Sequence, residues 1–123
     1  MSPTRLAQVA IPVQDVDRAR AFYRDILGLP HLFDAPPDLA FFQCGDTRLM
    51  LSRPEGPGTA GSSILYYGVD DIDAACEAMT VKGVAFDEPP RKIAEVDGRP
   101  IHLAVCRDSE GNLLGLMSEG AAG

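Results

Sequence analysis

Two stretches of this chain decide its fold: QVAIPVQDVDRARAFYRDILG, residues 8–28, and ILYYGVDDIDAACEAMTVKG, residues 64–83. Laid over one another, Val13 falls on Val69, Asp15 on Asp71, Val16 on Ile72, Asp17 on Asp73 and Ala19 on Ala75, each at an offset of 56. The glycines that close the two stretches, Gly28 and Gly83, stand at an offset of 55. Similarity repeated near half the chain length implies two copies of one supersecondary unit.

Each copy opens with a strand, Gln8–Val13 or Ile64–Val69. An acidic turn follows, where Asp15 and Asp71 can cap a helix by accepting backbone N–H bonds. Apolar residues then recur at helical spacing: Val16, Ala19, Phe22, Tyr23 and Ile26 in the first copy, Ile72, Ala75, Cys76 and Met79 in the second. Gly28 and Gly83 are placed to take the left-handed conformation that ends a helix. Further strands are expected at His31–Phe33, Leu39–Cys44 and Arg48–Ser52, then at Val84–Phe86, Lys92–Val96, Ile101–Cys106 and Asn112–Met117. CGDT (44–47), VDGR (96–99) and DSEGN (108–112) carry the Asp, Gly and Asn of hairpin connections. The expected architecture is α+β, with two βαβββ modules. It is one domain over residues 5–119, with module one at 5–53, a Gly/Pro/Ser-rich linker at 54–62 and module two at 63–119.

The 123 residues are enough for one domain with a sizeable core. A hydrophobic content of 46% and a charged content of 24% are those of an ordinary globular protein. No apolar run approaches the ~18 residues of a membrane span, and MSPTRLAQ lacks the apolar region of a signal peptide. Cys44, Cys76 and Cys106 are odd in number and widely spaced, which suggests neither a disulfide framework nor a CxxC metal site. A cytoplasmic protein with reduced thiols is expected. The net charge of −7, with Lys and Arg scattered, argues against nucleic acid or an anionic membrane as partner. Acidity of this kind suits a cationic ligand, or serves solubility alone. Residues 56–61 match GxGxxG literally, but a strand follows and Pro57 has no N–H, so no dinucleotide site is expected.

Strand side chains alternate between two faces. One parity gathers Val9, Ile11, Val13, Leu49, Leu51, Leu65, Tyr67, Val69, Leu103, Val105, Leu114 and Leu116, an aliphatic set expected to lie against the helices. The other gathers Gln8, Ala10, Pro12, Arg48, Met50, Ser52, Ile64, Tyr66, Gly68, His102, Ala104, Cys106, Gly115 and Met117. Small, polar and aromatic residues mixed in this way suit a pocket with a few polar groups among apolar walls, or a half-buried dimer surface.

The stretches VQDVDRARAFYRDILGL (13–29), VDDIDAACEAMTVKGV (69–84) and RDSEGNLLGLM (107–117) resemble the vicinal-oxygen-chelate superfamily, which includes glyoxalase I, extradiol dioxygenases and the bleomycin-resistance proteins. The resemblance covers residues 5–119. It implies paired βαβββ modules making a cupped mixed sheet around a ligand, and commonly a homodimer. It also implies metal-ligand positions in the metal-dependent members, which fall here on Gln8, Met50, Ile64 and Gly115. Of these only Gln8 has a side chain suited to such metals. Metal-dependent glyoxalase or dioxygenase chemistry is therefore disfavoured, and no metal or other cofactor is expected. Gly115 then either enlarges the cavity where a metal would sit or marks a bulge.

Other chemistry finds little support in the residues. His102 and Cys106 lie four residues apart on one strand, about 13 Å along it, too far for a nucleophile and its base. His31 and His102 each suit a hydrogen-bonded structural role better than a metal. Arg48 and Tyr66 could together orient a ligand, or Tyr66 could be an interface aromatic. The expected ligand-pocket residues are Gln8, Arg48, Met50, Ile64, Tyr66, His102, Cys106 and Gly115. The function expected is metal-independent sequestration of a small apolar or cationic ligand. The alternative is a glyoxalase-like lyase, isomerase or dioxygenase that uses pocket side chains or a non-standard metal site.

Overall fold

The structure, a computed structural model, describes Pro3, residues 5–53 and residues 63–120. The expected linker at 54–62 and the GxGxxG match at 56–61 lie outside the described residues. The chain divides into two compact units, Met1–Ser62 and Ser63–Gly123.

In module one, strand β1 (Gln8–Pro12) leads into helix α1 (Val16–Ala21), which continues as a π-helical turn over Phe22–Ile26. Strands β2 (His31–Ala35), β3 (Leu39–Cys44) and β4 (Thr47–Ser52) follow, in a sheet of order β1-β4-β3-β2 with β1 and β4 parallel. Module two repeats this with β5 (Leu65–Gly68), α2 (Ile72–Val81), β6 (Phe86–Val96), β7 (Arg99–Arg107) and β8 (Leu113–Glu119), in the order β5-β8-β7-β6. Two four-stranded mixed sheets of one topology result, so the fold is α+β with two βαβββ modules.

The caps match the sequence pattern. The Asp15 carboxylate accepts from the Arg18 N–H at 3.0 Å and that of Asp71 from the Ala74 N–H at 3.0 Å. Each such cap contributes about 1 kcal/mol. Gly83 sits at φ 99°, with Gly83 N bonded to Thr80 O and Val84 N to Met79 O, the paired bonds of a Schellman ending. Helix one ends differently: Leu27 N bonds to Phe22 O, and Leu29 N reaches Tyr23 O, one residue further back than the corresponding bond of helix two. The regular helix expected in module one is thus widened at its end. The cause lies in the spacing of the repeat, whose offset changes from 56 to 55 between Ala19 and Gly28. Module one has one residue more in this stretch, and an i→i+5 turn absorbs a single extra residue without moving either cap. Phe22 and Tyr23, adjacent in sequence, are both buried, with ring centroids 5.4 Å apart.

The core of each module lies between its helix and one face of its sheet. Ile11, Leu49, Leu51, Ala40 and Phe42 are buried beside Val16, Ala19 and Tyr23; Leu114, Leu116, Ala104 and Cys106 are buried in the module of Ile72, Cys76 and Met79. Burying a Leu side chain of this kind contributes roughly 1.5–3 kcal/mol.

Module two corrects the expected strands. Val84–Phe86 and Lys92–Val96 are not separate; Phe86–Val96 forms one strand across Pro89 and Pro90. Prolines break a central strand because they lack the ladder N–H, but β6 is an edge, and its register shifts between Glu88 and Arg91 around them. At its far end Asp97 (φ 52°) and Gly98 (φ 76°) make the two-residue turn into β7. Positive φ at both positions is the type I′ geometry that an Asp-Gly pair favours.

Candidate ligand-binding site

Residues paired across neighbouring strands point to the same side of a sheet, so register decides which side chains can meet a ligand. In module one the face turned away from the helix is built in rows. Gln8, Arg48 and Gln43 make one row; Ala10, Met50, Phe41 and Phe33 the next; Pro12, Ser52, Leu39 and Ala35 the third. Gln8, Arg48 and Met50 therefore share a face, as expected. Arg48 is the only charged side chain at these positions, so the acidity of the chain as a whole is not carried onto this surface.

These side chains are organised by one another. Arg48 Nε donates to Gln8 Oε1 at 2.9 Å, and the guanidinium carbon stands 5.7 Å from the centroid of the Phe41 ring. Gln8 Nε2 lies 3.9 Å from Met50 Sδ. Phe41 is stacked against Phe33, with centroids 4.5 Å apart and planes 22° apart. Phe41 is 8% exposed, whereas Phe33, on the edge strand, is 45% exposed. Within module one Arg48 is thus paired with Gln8 and Phe41. The two phenylalanines were missed because β3 carries Phe41 and Phe42 side by side. Only the register of the two-residue turn at Gly45 and Asp46 shows that Phe42 enters the core and Phe41 faces outward.

In module two, Gly115 pairs with Tyr66 on one side and Val105 on the other, and Met117 with Gly68 and Leu103. The β7–β8 ladder is unbroken at Gly115, so it marks no bulge. Nor does it leave an open cavity. A Cβ at this position would lie 2.3 Å from Tyr66 Cδ1 and 2.5 Å from Cε1, so the Tyr66 ring covers the glycine. The missing side chain makes room for that ring, which remains 44% exposed. Ile64 precedes β5 by one residue.

The same register moves His102 and Cys106. Both were expected beside Gly115, but Cys106 pairs with Leu114, Ala104 with Leu116 and His102 with Ser118. They belong to the helix side, and Leu103 and Val105 take their place on the outer face. Apolarity misleads here because Ala104 and Cys106 are small residues fully buried on the helix side. The register is set by the DSEGN turn. Asp108 is buried, and its Oδ1 accepts the N–H groups of Glu110 at 2.8 Å and Asn112 at 2.9 Å. One residue more or fewer in this turn would reverse every side chain of one strand. Burial pushes the Cys106 thiol up to about 11, with Cys76, Asp87 and Asp108 adding to the effect. It is protonated at neutral pH and unsuited to nucleophilic attack.

His31 also lies on the helix side. Its ring meets Phe42 edge-on at 5.3 Å, and its Nε2 stands 2.8 Å from Asp34 Oδ1. Arg20 Nε donates to the same oxygen at 3.2 Å. The His31 bond, joined by Arg20, holds the Asp34 carboxyl below the usual carboxylate range. This cluster joins helix and sheet; its residues are not on the outer face.

The four positions implied for a metal do not fit one. Gln8 Oε1, the only oxygen among their side chains, already accepts from a cationic guanidinium. Met50 offers a soft thioether, Ile64 has no donor, and Gly115 lies beneath an aromatic ring. Among the described residues no group of three His, Cys, Asp or Glu is placed to hold a metal ion. No helix among them is long and apolar enough to cross a membrane.

The family model described as Glyoxalase/Bleomycin resistance protein/Dioxygenase superfamily matches residues 5–116. The crystal structure of TnmS3, an antibiotic binding protein from Streptomyces sp. CB03234, superposes with a TM-score of 0.82 at 27% identity, covering 98% of this chain and 99% of that one. A probable lactoylglutathione lyase of Vibrio parahaemolyticus is 29% identical, over 95% of this chain and 92% of the relative. An uncharacterized protein of Bacillus subtilis, YraH, is 27% identical, over 89% of this chain and 94% of its own length.

Proposed function

The chain belongs to the Glyoxalase/Bleomycin resistance protein/Dioxygenase superfamily, and from that premise we propose that it is a metal-independent small-molecule-binding protein. The observation that carries this reading is the state of the implied metal positions: Gln8 is held by Arg48, Met50 and Ile64 offer no suitable donor, and Gly115 is covered by Tyr66. A family fold that keeps its strands and caps but lacks most of the side-chain donors for a Lewis-acid metal retains a surface for binding rather than for metal chemistry. The antibiotic-binding neighbour from Streptomyces is consistent with sequestration. The ligand is small and largely apolar, meeting Phe33, Met50 and Arg48. A cationic ligand loses support, because the one charge on the outer face of module one is positive. We further propose a cytoplasmic homodimer as the working form.

The alternative, a lyase of the lactoylglutathione type, draws on the Vibrio relative. One experiment separates the two. The melting temperature is measured with Ni²⁺, Zn²⁺, Mn²⁺ and Fe²⁺, alongside elemental analysis of the same sample. No shift is expected, whereas a metal at ~100 times its dissociation constant would contribute about 2.7 kcal/mol. A clear shift with one metal bound per chain would overturn the reading.

A further inference from the structure

The outer face of module one has a polarity that goes beyond a general apolar surface. Arg48 is exposed, yet its side chain is held at two points, by the Nε bond to Gln8 and by the Phe41 ring beneath the guanidinium. Its terminal nitrogens have no hydrogen-bond partner among the described residues. A guanidinium fixed by its inner N–H presents the outer N–H groups as a planar fork, the geometry that suits a carboxylate. Much of the usual ordering cost of a long side chain has been met within the fold.

Beside this fork lies an aromatic surface. Phe41 is covered, but Phe33 is stacked on it and 45% exposed, so the exposed part of its ring leaves room for another ring to lie against it. The stacking and cation–ring distances place the guanidinium within about 10 Å of the Phe33 ring, close to two strand spacings. That is the reach of a fused two-ring acid. The net charge of −7 does not oppose this, because charges beyond a Debye length of ~8 Å are largely screened and Arg48 would touch the ligand.

We propose that the outer face of module one selects small planar aromatic carboxylates, Arg48, oriented by Gln8, binding the acid and Phe33, backed by Phe41, taking the ring. This rests on the small-molecule-binding reading and adds the chemical class of the ligand. Gln43 takes no part, since its carboxamide donates to the carbonyl of Gly45.

The test is isothermal titration of the intact chain with naphthalene-2-carboxylate, its neutral carboxamide and 2-naphthylmethylammonium. The carboxylate is expected to bind about tenfold or more tighter than the amide, with the ammonium weakest. Arg48→Gln should bring the acid down to the affinity of the amide. Arg48→Lys, which keeps the charge but loses the fork, should recover only part of the difference. Phe33→Ala should weaken acid and amide alike. Both sites are exposed, and circular dichroism of each variant checks that it folds. Equal binding of all three probes would overturn the acid preference while leaving a small-molecule binder. Absence of binding by any probe, or an Arg48→Gln variant that keeps the preference, would overturn the inference outright. Failure of the binding reading itself has a separate signature, the metal-dependent shift in melting temperature.

Discussion

Asp15 and Asp71 begin their helices with nearly the same backbone angles, φ −126° and ψ 104° against φ −127° and ψ 101°. The outer faces of the two sheets, by contrast, share almost nothing. Module one presents Arg48 and Gln8 beside stacked phenylalanines; module two presents Leu103, Val105 and Met117, with Tyr66 laid over Gly115. The difference teaches where each kind of constraint acts. Caps, glycine endings and the apolar helix stripe must be kept for either copy to fold, so they remain alike. The outer face carries less of the core, so it can diverge toward binding chemistry.

The helices offer the sharpest way to break the comparison. If the π turn of module one is a one-residue insertion, deleting the exposed Arg24 restores the spacing of module two and should cost about 1 kcal/mol or less. Deleting the exposed Glu77 from α2 should turn the following residues by about 100° and carry Met79 off the core. That loss is on the order of 2–5 kcal/mol, enough to unfold much of the chain. Urea denaturation of the two variants compares them directly. If deleting Arg24 is as damaging as deleting Glu77, the insertion account is wrong.

A smaller effect tests the outer face of module two. Gly115→Val forces the Tyr66 ring aside and should destabilise by about 1–3 kcal/mol. Tyr66→Ala removes the obstacle, so the same substitution in that background should cost clearly less. Additive effects in thermal denaturation would show that the ring is not what Gly115 accommodates.

The smallest expected effect concerns Asp34. Its folded-state pKa is lowered, so the carboxylate adds stability that is complete above the ordinary Asp value of ~3.9 and is lost as pH falls through the lowered value. Its side chain is 49% exposed, which limits the gain to less than about 1 kcal/mol. Asp34→Asn should therefore be slightly less stable than the parent at pH 7, and equal to it once the carboxylate is protonated. Urea midpoints across the acid range provide the check; a difference that persists unchanged into acid would remove the ion pair as its source.

How far the sequence reached can be followed residue by residue. The repeat, both N-caps, both C-terminal glycines and the burial of Val16, Ala19, Ile72 and Met79 follow from short-range patterns, because helix caps and helical stripes are local interactions. The outer-face placement of Gln8, Arg48, Met50, Tyr66 and Gly115 was also legible, since each follows from alternation along a single strand. The change of offset from 56 to 55 was visible, but its conversion into a π turn was not. A one-residue mismatch can be absorbed in a loop as easily as in a helix.

What tertiary structure alone decided was the relation between strands. Cys106 and His102 went to the helix side because the turn at Asp108 pairs Arg107 with Leu113, and each residue beyond it inherits that parity. Phe33 joined Phe41 by the same logic after a register shift in β2. The ring over Gly115 comes from a neighbouring strand far away in sequence. Alternation gives each strand two faces, but only pairing across the sheet tells which face of one strand joins which face of the next.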